Sequence, residues 1–300
     1  MDVTILEVIQ RSADFLNKKG VGAPRLQVEL LLAHVLKMPR MNLYLNFERV
    51  LSAPEVETLR ELVRRRGQRE PLQHIIGSVS FCGLEMAVCR HVLVPRPETE
   101  LLAERAWTFL QQLPPGCQAR ALDLGTGSGC LAIALAVHAP QARIVATDLS
   151  GDALNTARQN AARHGVAERI EFHRGDGFAA LDGQGSFDLI VSNPPYVATA
   201  DIQTLEPEVR DYEPRAALDG GADGLDFYRR IAAEAGALLK PEGQAMLELN
   251  DNGAESVRAI FEGAGWKVEA IEPDYNQFQR IFVAHVAAQS HDIAARSGIV

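Results

Sequence analysis

The chain has few cysteines and no spacing that would pair them. Cys82, Cys89, Cys117 and Cys130 form no CxxC unit and have no histidine-rich partner segment. They read as reduced, buried thiols, which argues against a disulfide framework or a thiolate metal site. The eight histidines are scattered and none falls in HExxH spacing; His74 and His91 read as packing or surface residues, and no metal is expected. Long apolar runs are missing too. Leu131–Val137 is among the longest, against the roughly 20 residues a spanning helix needs. The first residues include Asp2 and Glu7 and no positively charged start before an apolar run, unlike a signal peptide. A cytoplasmic protein with no membrane partner is the default reading. Positive charge is also in short supply: 30 lysines and arginines face 39 acids, for a net charge of −9. Such a field opposes stable binding to a polyanion such as nucleic acid. The local exception, Arg64-Arg65-Arg66-Gly67-Gln68-Arg69, is either a solvated helix end or a contact for a partner.

What is present is ample core. Hydrophobic residues make up 47% of the 300 positions and charged residues 23%, ordinary values for a globular protein with room for two domains. Residues 1–73 read as a small helical bundle that recognises something. Ile5, Leu6, Ile9, Ala13 and Leu16 share one helical face before Gly20 and Gly22 break the pattern. A leucine-dense helix runs from Leu26 to Leu36, with Pro24 near its start. Ser52 with Glu55 forms a capping box for a third helix. Residues 74–97 read as a β-hairpin linker, strand-like from Ile75 to Val94 and turning near Cys82-Gly83-Leu84. It ends in the stiff segment Pro95-Arg96-Pro97, which leads into a helix from Glu98 to Leu113.

From Ala119 strand and helix alternate, which predicts an α/β fold with a doubly wound parallel sheet over residues 98–288. The first strand ends in Asp123-Leu124-Gly125-Thr126-Gly127-Ser128-Gly129. Its glycines let backbone pass close to a ligand, and the next helix offers free N–H groups. A dinucleotide fingerprint would read GxGxxG. Here position 130 is Cys130, a spacing that suits the amino-acid end of S-adenosylmethionine better than a pyrophosphate. The second strand ends at Asp148, either a ribose-binding acid or a helix cap beside Ser150 and Asp152. The third leads to Gly175-Asp176-Gly177-Phe178, where Asp176 is placed to accept from an adenine amino group and Phe178 reads as core.

The fourth strand, Phe187–Ser192, runs into Asn193-Pro194-Pro195-Tyr196. Neither proline can donate to a ladder, so the strand stops sharply. By itself the run could be a plain proline-rich turn. At the ligand-binding end of an open sheet it also suits methylation of a planar nitrogen. The Asn193 side-chain oxygen and the Pro194 carbonyl would accept the two N–H hydrogens, and Tyr196 would pack on the flat face of the substrate group. Asp219-Gly220-Gly221-Ala222-Asp223-Gly224 reads as a flexible loop placed to act as a lid. Residues 288–300 lack pattern, and 289–300 read as a disordered tail.

The combination of DLGTGSG at 123–129, Asp148, GD at 175–176 and NPPY at 193–196 resembles the class I S-adenosylmethionine-dependent methyltransferases. Within them it is similar to the glutamine N5-methyltransferases of peptide-chain release factors. The likeness extends to Pro24-Arg25-Leu26, Glu70-Pro71-Leu72, Val94–Glu100, Glu213–Leu218 and Gly224–Tyr228. It implies a seven-stranded Rossmann-like sheet with an antiparallel last strand, and S-adenosylmethionine as donor. It also implies action on class I release factors at the glutamine of a Gly-Gly-Gln motif; the chain is expected to be a monomer. By the same resemblance the donor would contact Gly125, Thr126, Gly127, Ser128, Gly129, Asp148, Asp176, Gly177 and Asn193, and Asn193, Pro194, Pro195 and Tyr196 would form the catalytic corner. Gly177 stands where the family often has a tryptophan beside adenine. Two alternatives share the corner: a glutamine methyltransferase of ribosomal protein L3, and an adenine N6-methyltransferase acting on nucleic acid.

Overall fold

The computed structural model describes residues 3–114, 116–181 and 185–287; the segment read as a disordered tail lies outside them. The chain divides into two compact units, Met1–Pro95 with Ala200–Leu218, and Arg96–Thr199 with Asp219–Val300. Among the described residues no helix is long and apolar enough to cross a membrane.

The first unit contains α1 (Ile5–Lys18), α2 (Pro24–Leu36), α3 (Arg40–Tyr44), α4 (Ala53–Gly67), α5 (Leu72–Ile76) and a hairpin of β1 (Ser78–Phe81) and β2 (Leu84–Ala87). The predicted capping box closes α4: Glu55 accepts the Ser52 backbone N–H at 2.8 Å. A second box, Thr4 with Glu7, caps α1. Ile5, Ile9 and Leu16 of α1 join Val28, Leu31 and Leu32 of α2 and Leu59 and Val63 of α4 in one core. The strand-like stretch is shorter than its composition suggests. Pro71 and the left-handed Gly77 bracket Ile75 and Ile76 in a single helical turn, and pairing is confined to Ser78–Ala87. Cys82 and Gly83 both have positive φ, 51° and 74°, as a two-residue hairpin turn requires.

The arginine run is paired within the chain, with Arg64 still exposed at its start. Arg64 pairs with Glu61 and Arg65 with Glu70. Arg66, itself buried, and Arg69 both grip Glu208 on the returning segment, at 2.5 and 2.6 Å. Glu213, buried on the same segment, accepts the Val94 N–H. No composition shift marks residues 200–218 as part of this unit; carboxylates meeting arginines distant in sequence place them there.

The second unit opens with α6 (Pro97–Gln112) and continues β3 (Arg120–Leu124), α7 (Cys130–His138), β4 (Arg143–Asp148), α8 (Gly151–Arg163), β5 (Ile170–Arg174) and β6 (Phe187–Ser192). The short α9 (Pro207–Arg210) lies on the segment belonging to the first unit. The second unit then adds α10 (Asp226–Glu234), β7 (Leu239–Glu248), α11 (Ala254–Gly263), β8 (Trp266–Pro273) and β9 (Gln279–Val286). The seven strands line up as β5-β4-β3-β6-β7-β9-β8. The first five are parallel, and β9 runs antiparallel to both β7 and β8. The doubly wound sheet predicted from the alternation is therefore present, its last strand inserted between two others. Every residue of β6 is buried, as expected for a central parallel strand covered on both faces.

Strand order reverses at β3, with β4 on one side and β6 on the other, so the crevice for a ligand opens at the carboxyl ends of these strands. Close packing of α8 beneath that crevice explains one glycine. A Cβ on Gly129 would stand 2.9 Å from Ala157 Cβ and 3.2 Å from Ala157 Cα, at a φ of +84°. Gly129→Ala should therefore lower unfolding free energy by about 2–5 kcal/mol through combined strain and overpacking, read as a lower urea midpoint at unchanged m-value.

Candidate active site

Five strand ends stand side by side along the crevice. In spatial order they deliver Asp176 after β5, Asp148 at the end of β4, the glycine loop 125–129 after β3, Asn193 after β6 and Glu248 at the end of β7. Neighbouring strands are locked here: the Ser192 hydroxyl donates to the Leu124 carbonyl at 2.6 Å, which ties the root of the NPPY corner to the root of the glycine loop.

The loop is held from below. Gly125 and Thr126 N–H both donate to the Thr147 carbonyl, at 2.9 and 2.8 Å. The Thr126 hydroxyl donates to Asp123 Oδ2 at 2.6 Å, and the Ala132 N–H reaches the same oxygen at 3.0 Å. The Thr126 and Ser128 side chains are buried, so what these positions offer the crevice is backbone. Gly125 and Gly127 have positive φ, and nothing lies within 4 Å of where a Cβ would project from either. This is room a ligand can enter. Asp123 Oδ1 is buried and makes no hydrogen bond among the described residues, an acceptor left for a ligand's donor. Asp148 accepts the Gly127 N–H on one oxygen and the Ser150 N–H on the other, both at 2.8 Å. A carboxylate has about four acceptor positions, so both oxygens keep acceptor capacity beyond these two bonds, and capping does not exhaust the group.

Burial pushes the Asp123 carboxyl up to about 7, against the Thr126 and Ala132 hydrogen bonds, with the charge of Asp148 adding to the rise. The folded chain thus holds this proton more tightly than the unfolded chain. Its contribution to stability is full at low pH and is lost as pH climbs through about 7. Asp123→Asn should remove that component. The difference between wild-type and variant unfolding free energies should shift in the variant's favour between pH 5 and pH 8, measured by urea melts of the ligand-free protein.

Asp176 is exposed and bonded to a residue that sequence reasoning missed. Arg230 of α10 donates Nη1 to Asp176 Oδ1 at 2.6 Å and Nη2 to the Asp176 carbonyl at 2.7 Å. The guanidinium lies over Gly177, where a Cβ would meet Arg230 Cζ at 2.8 Å. The planar group beside this turn is therefore an arginine rather than a ring at position 177. Phe178 sits in the core, as its pattern predicts.

The Asn193 carboxamide is oriented by its neighbours. Its Nδ2 donates to Thr99 Oγ1 at 3.2 Å; no hydrogen bond among the described residues reaches its Oδ1 or the Pro194 carbonyl. Pro194 is buried and Tyr196 partly so. The Tyr196 ring packs on the sheet core, and its hydroxyl points to Glu248 Oε1 at a long 3.3 Å. Burial, and then the charge of Glu248, pushes the Tyr196 hydroxyl well above the usual phenol range; it stays protonated.

The glycine-rich segment predicted as a lid is instead a brace for this corner. The Gly220 N–H donates to the Val197 carbonyl and the Thr199 N–H to the Gly221 carbonyl, both at 2.8 Å. A Cβ on Gly220 would come within 2.8 Å of the Pro195 carbonyl, and one on Gly224 within 2.4 Å of the Tyr196 carbonyl. The glycines serve close backbone approach rather than flexibility.

Comparison with known proteins follows the same lines. Residues 7–77 match the model of the PrmC N-terminal domain, and residues 104–207 that of the methyltransferase small domain. A release factor glutamine methyltransferase of Geobacter sulfurreducens is 47% identical over 263 residues, covering 88% of this chain and 90% of that relative. One from Chlorobaculum tepidum is 43% identical, covering 92% and 95%. Among solved structures, the hMettl16 catalytic domain in complex with MAT2A 3'UTR hairpin 6 superposes with a TM-score of 0.52 at 15% identity, over 79% of this chain and 84% of that one. At that identity the similarity is one of fold.

Proposed function

The chain belongs to the release factor glutamine methyltransferase family, and from that membership we propose that it methylates the side-chain amide nitrogen of the glutamine in the Gly-Gly-Gln motif of class I release factors. S-adenosylmethionine, bound in the crevice, supplies the methyl group as an electrophile on its sulfonium. The open space above Gly125 and Gly127 admits its amino-acid end, and the orphaned Asp123 Oδ1 and the Asp148 carboxylate are the acceptors for its ammonium and ribose hydroxyls. The Asp176–Gly177 turn, clamped by Arg230, lies one strand further on, where the base would fall.

One observation supports the catalytic reading above the others. The Asn193 amide gives its N–H side to Thr99, so its oxygen is uncommitted at the end of β6, next to the glycine loop of β3. An amide nitrogen is a poor nucleophile because its lone pair is shared with the carbonyl. Asn193 Oδ1 and the Pro194 carbonyl would each accept one N–H of the substrate, aim the nitrogen along the transfer line and favour its pyramidal form. The nitrogen gains the methyl and afterwards sheds one proton to solvent, so no strong general base is required. Tyr196, anchored through its hydroxyl, would present its ring to the flat amide. The helical unit would dock the release factor in the cytoplasm, the chain acting as a monomer without nucleic acid or membrane.

The test is incubation with labelled S-adenosylmethionine and purified class I release factor, followed by mass spectrometric mapping. One methyl on the Gly-Gly-Gln glutamine, absent from a Gln→Ala factor, is the expected result. No label on the factor would overturn the reading, and label on ribosomal protein L3 instead would move it to the sister reaction.

A further inference from the structure

We propose that Thr99 and Glu248 are positioning residues that decide which way round the Asn193 carboxamide faces, so that Glu248 controls turnover without touching substrate. The proposal rests on the methyl-transfer reading above. It starts from a directional chain of hydrogen bonds. Thr99 Oγ1 donates to Glu248 Oε2 at 2.6 Å, a length typical of a hydroxyl bound to a charged oxygen. With its only proton committed there, the Thr99 oxygen can act only as an acceptor toward Asn193, which must then turn its NH₂ group inward. Asn193 Oδ1 is left for the substrate. Thr99 and Glu248 are 2% and 1% exposed, so water does not stand in for either partner.

Protonation of Glu248 reverses the chain. A neutral Glu248 can donate to Thr99 Oγ1, whose own proton is then released to Asn193. The favoured partner becomes Asn193 Oδ1, and the carboxamide presents NH₂, a donor, to a substrate that needs an acceptor. The groups around Glu248 set where this happens. Glu98 and Thr99 face it from α6, Tyr196 from the corner, and Arg280 from β9. Tyr228 of α10 donates to its backbone carbonyl at 2.7 Å, Arg280 is shared with Asp251 and Asp274, and Arg96 acts on Tyr196. Burial is the largest influence and outweighs Thr99 and Arg280, pushing the carboxyl up to about 7. The ionised, productive form is therefore lost as pH falls through about 7.

Glu248→Gln is the direct probe, because glutamine fixes the uncharged form in the same shape. With release factor and S-adenosylmethionine both saturating, kcat of the wild type should fall on the acid side with a one-proton midpoint near 7. Glu248→Gln should lose tenfold or more in kcat at pH 8 and show no acid limb, with the calorimetric Kd for S-adenosylmethionine within threefold. Thr99→Val should behave likewise, and Thr99→Ser, which keeps the hydroxyl, should recover most of the rate. A Glu248→Gln enzyme that retains the acid limb, or Thr99→Val within twofold of wild type, would overturn the proposal. A readout independent of turnover separates this from failure of the functional reading. In protein labelled with ¹⁵N-asparagine, the Asn193 side-chain NH₂ signals, assigned by their loss in Asn193→Ala, should titrate with the same midpoint and stand still in Glu248→Gln. Signals that do not move in the wild type refute the relay whether or not the chain methylates release factors.

Discussion

Asn193→Ala should slow methyl transfer by on the order of 10²-fold or more in kcat while leaving S-adenosylmethionine affinity within about twofold. The scale follows from the cost of deleting one preorganised hydrogen-bonding group at a reacting centre. The direction follows from the structure: Asn193 Oδ1 is the uncommitted acceptor at the corner, whereas the other residues assigned to the donor stand at the ends of β3, β4 and β5. A loss confined to kcat is the signature of an interaction made mainly in the transition state. Asn193→Asp is the informative companion. It keeps an acceptor, yet it forfeits the Nδ2–Thr99 bond and places a second carboxylate near the buried Glu248, so it too should be slow. Near-wild-type turnover in Asn193→Ala, measured by single-turnover labelling, would remove the corner from the chemistry.

Asp148→Ala should raise the Kd for S-adenosylmethionine about 10²-fold, because two hydrogen bonds to a charged acceptor are lost, each worth roughly 1.5–3 kcal/mol and partly replaced by water. The same substitution releases the Gly127 and Ser150 N–H groups, loosening the glycine loop at the end of β3. Asp148→Asn retains one acceptor oxygen and should fall between. With donor saturating, kcat of both variants should recover to near wild type. Calorimetry with S-adenosylmethionine measures the first effect and initial rates the second; a Kd changed less than threefold in Asp148→Ala contradicts the assignment.

The strand-end residues are legible in the sequence because each is announced locally. Asp148 and Asn193 each close a short β-branched or apolar run just ahead of serine or proline, Asp123 stands two residues before the first glycine of its loop, and Asp176 sits between two glycines, the punctuation that ends parallel strands. The residues behind them are not. Thr99 and Glu248 are 149 positions apart, and Arg230 and Asp176 are 54 apart; nothing in a linear pattern pairs them. Glu248 does leave a trace, as an acid inside the apolar run Ala245-Met246-Leu247-Glu248-Leu249, which burial makes expensive unless it is partnered. The Asp219–Gly224 loop misleads for a related reason. Glycine permits flexibility and close approach alike, and only the positions of the Pro195 and Tyr196 carbonyls show which one operates. Residues 200–218 carry their unit membership in Glu206, Glu208 and Glu213, ordinary surface acids until Arg66, Arg69 and the Val94 N–H are found opposite them.

The measurement that bears most directly on the central claim is a crystal structure of the chain with S-adenosylhomocysteine and a release factor presenting its Gly-Gly-Gln loop. The target glutamine nitrogen is expected within hydrogen-bonding distance of both Asn193 Oδ1 and the Pro194 carbonyl, its third side facing the sulfur. A glutamine held elsewhere, or Asn193 Oδ1 turned inward to Thr99 while the product nucleoside is bound, would contradict the account.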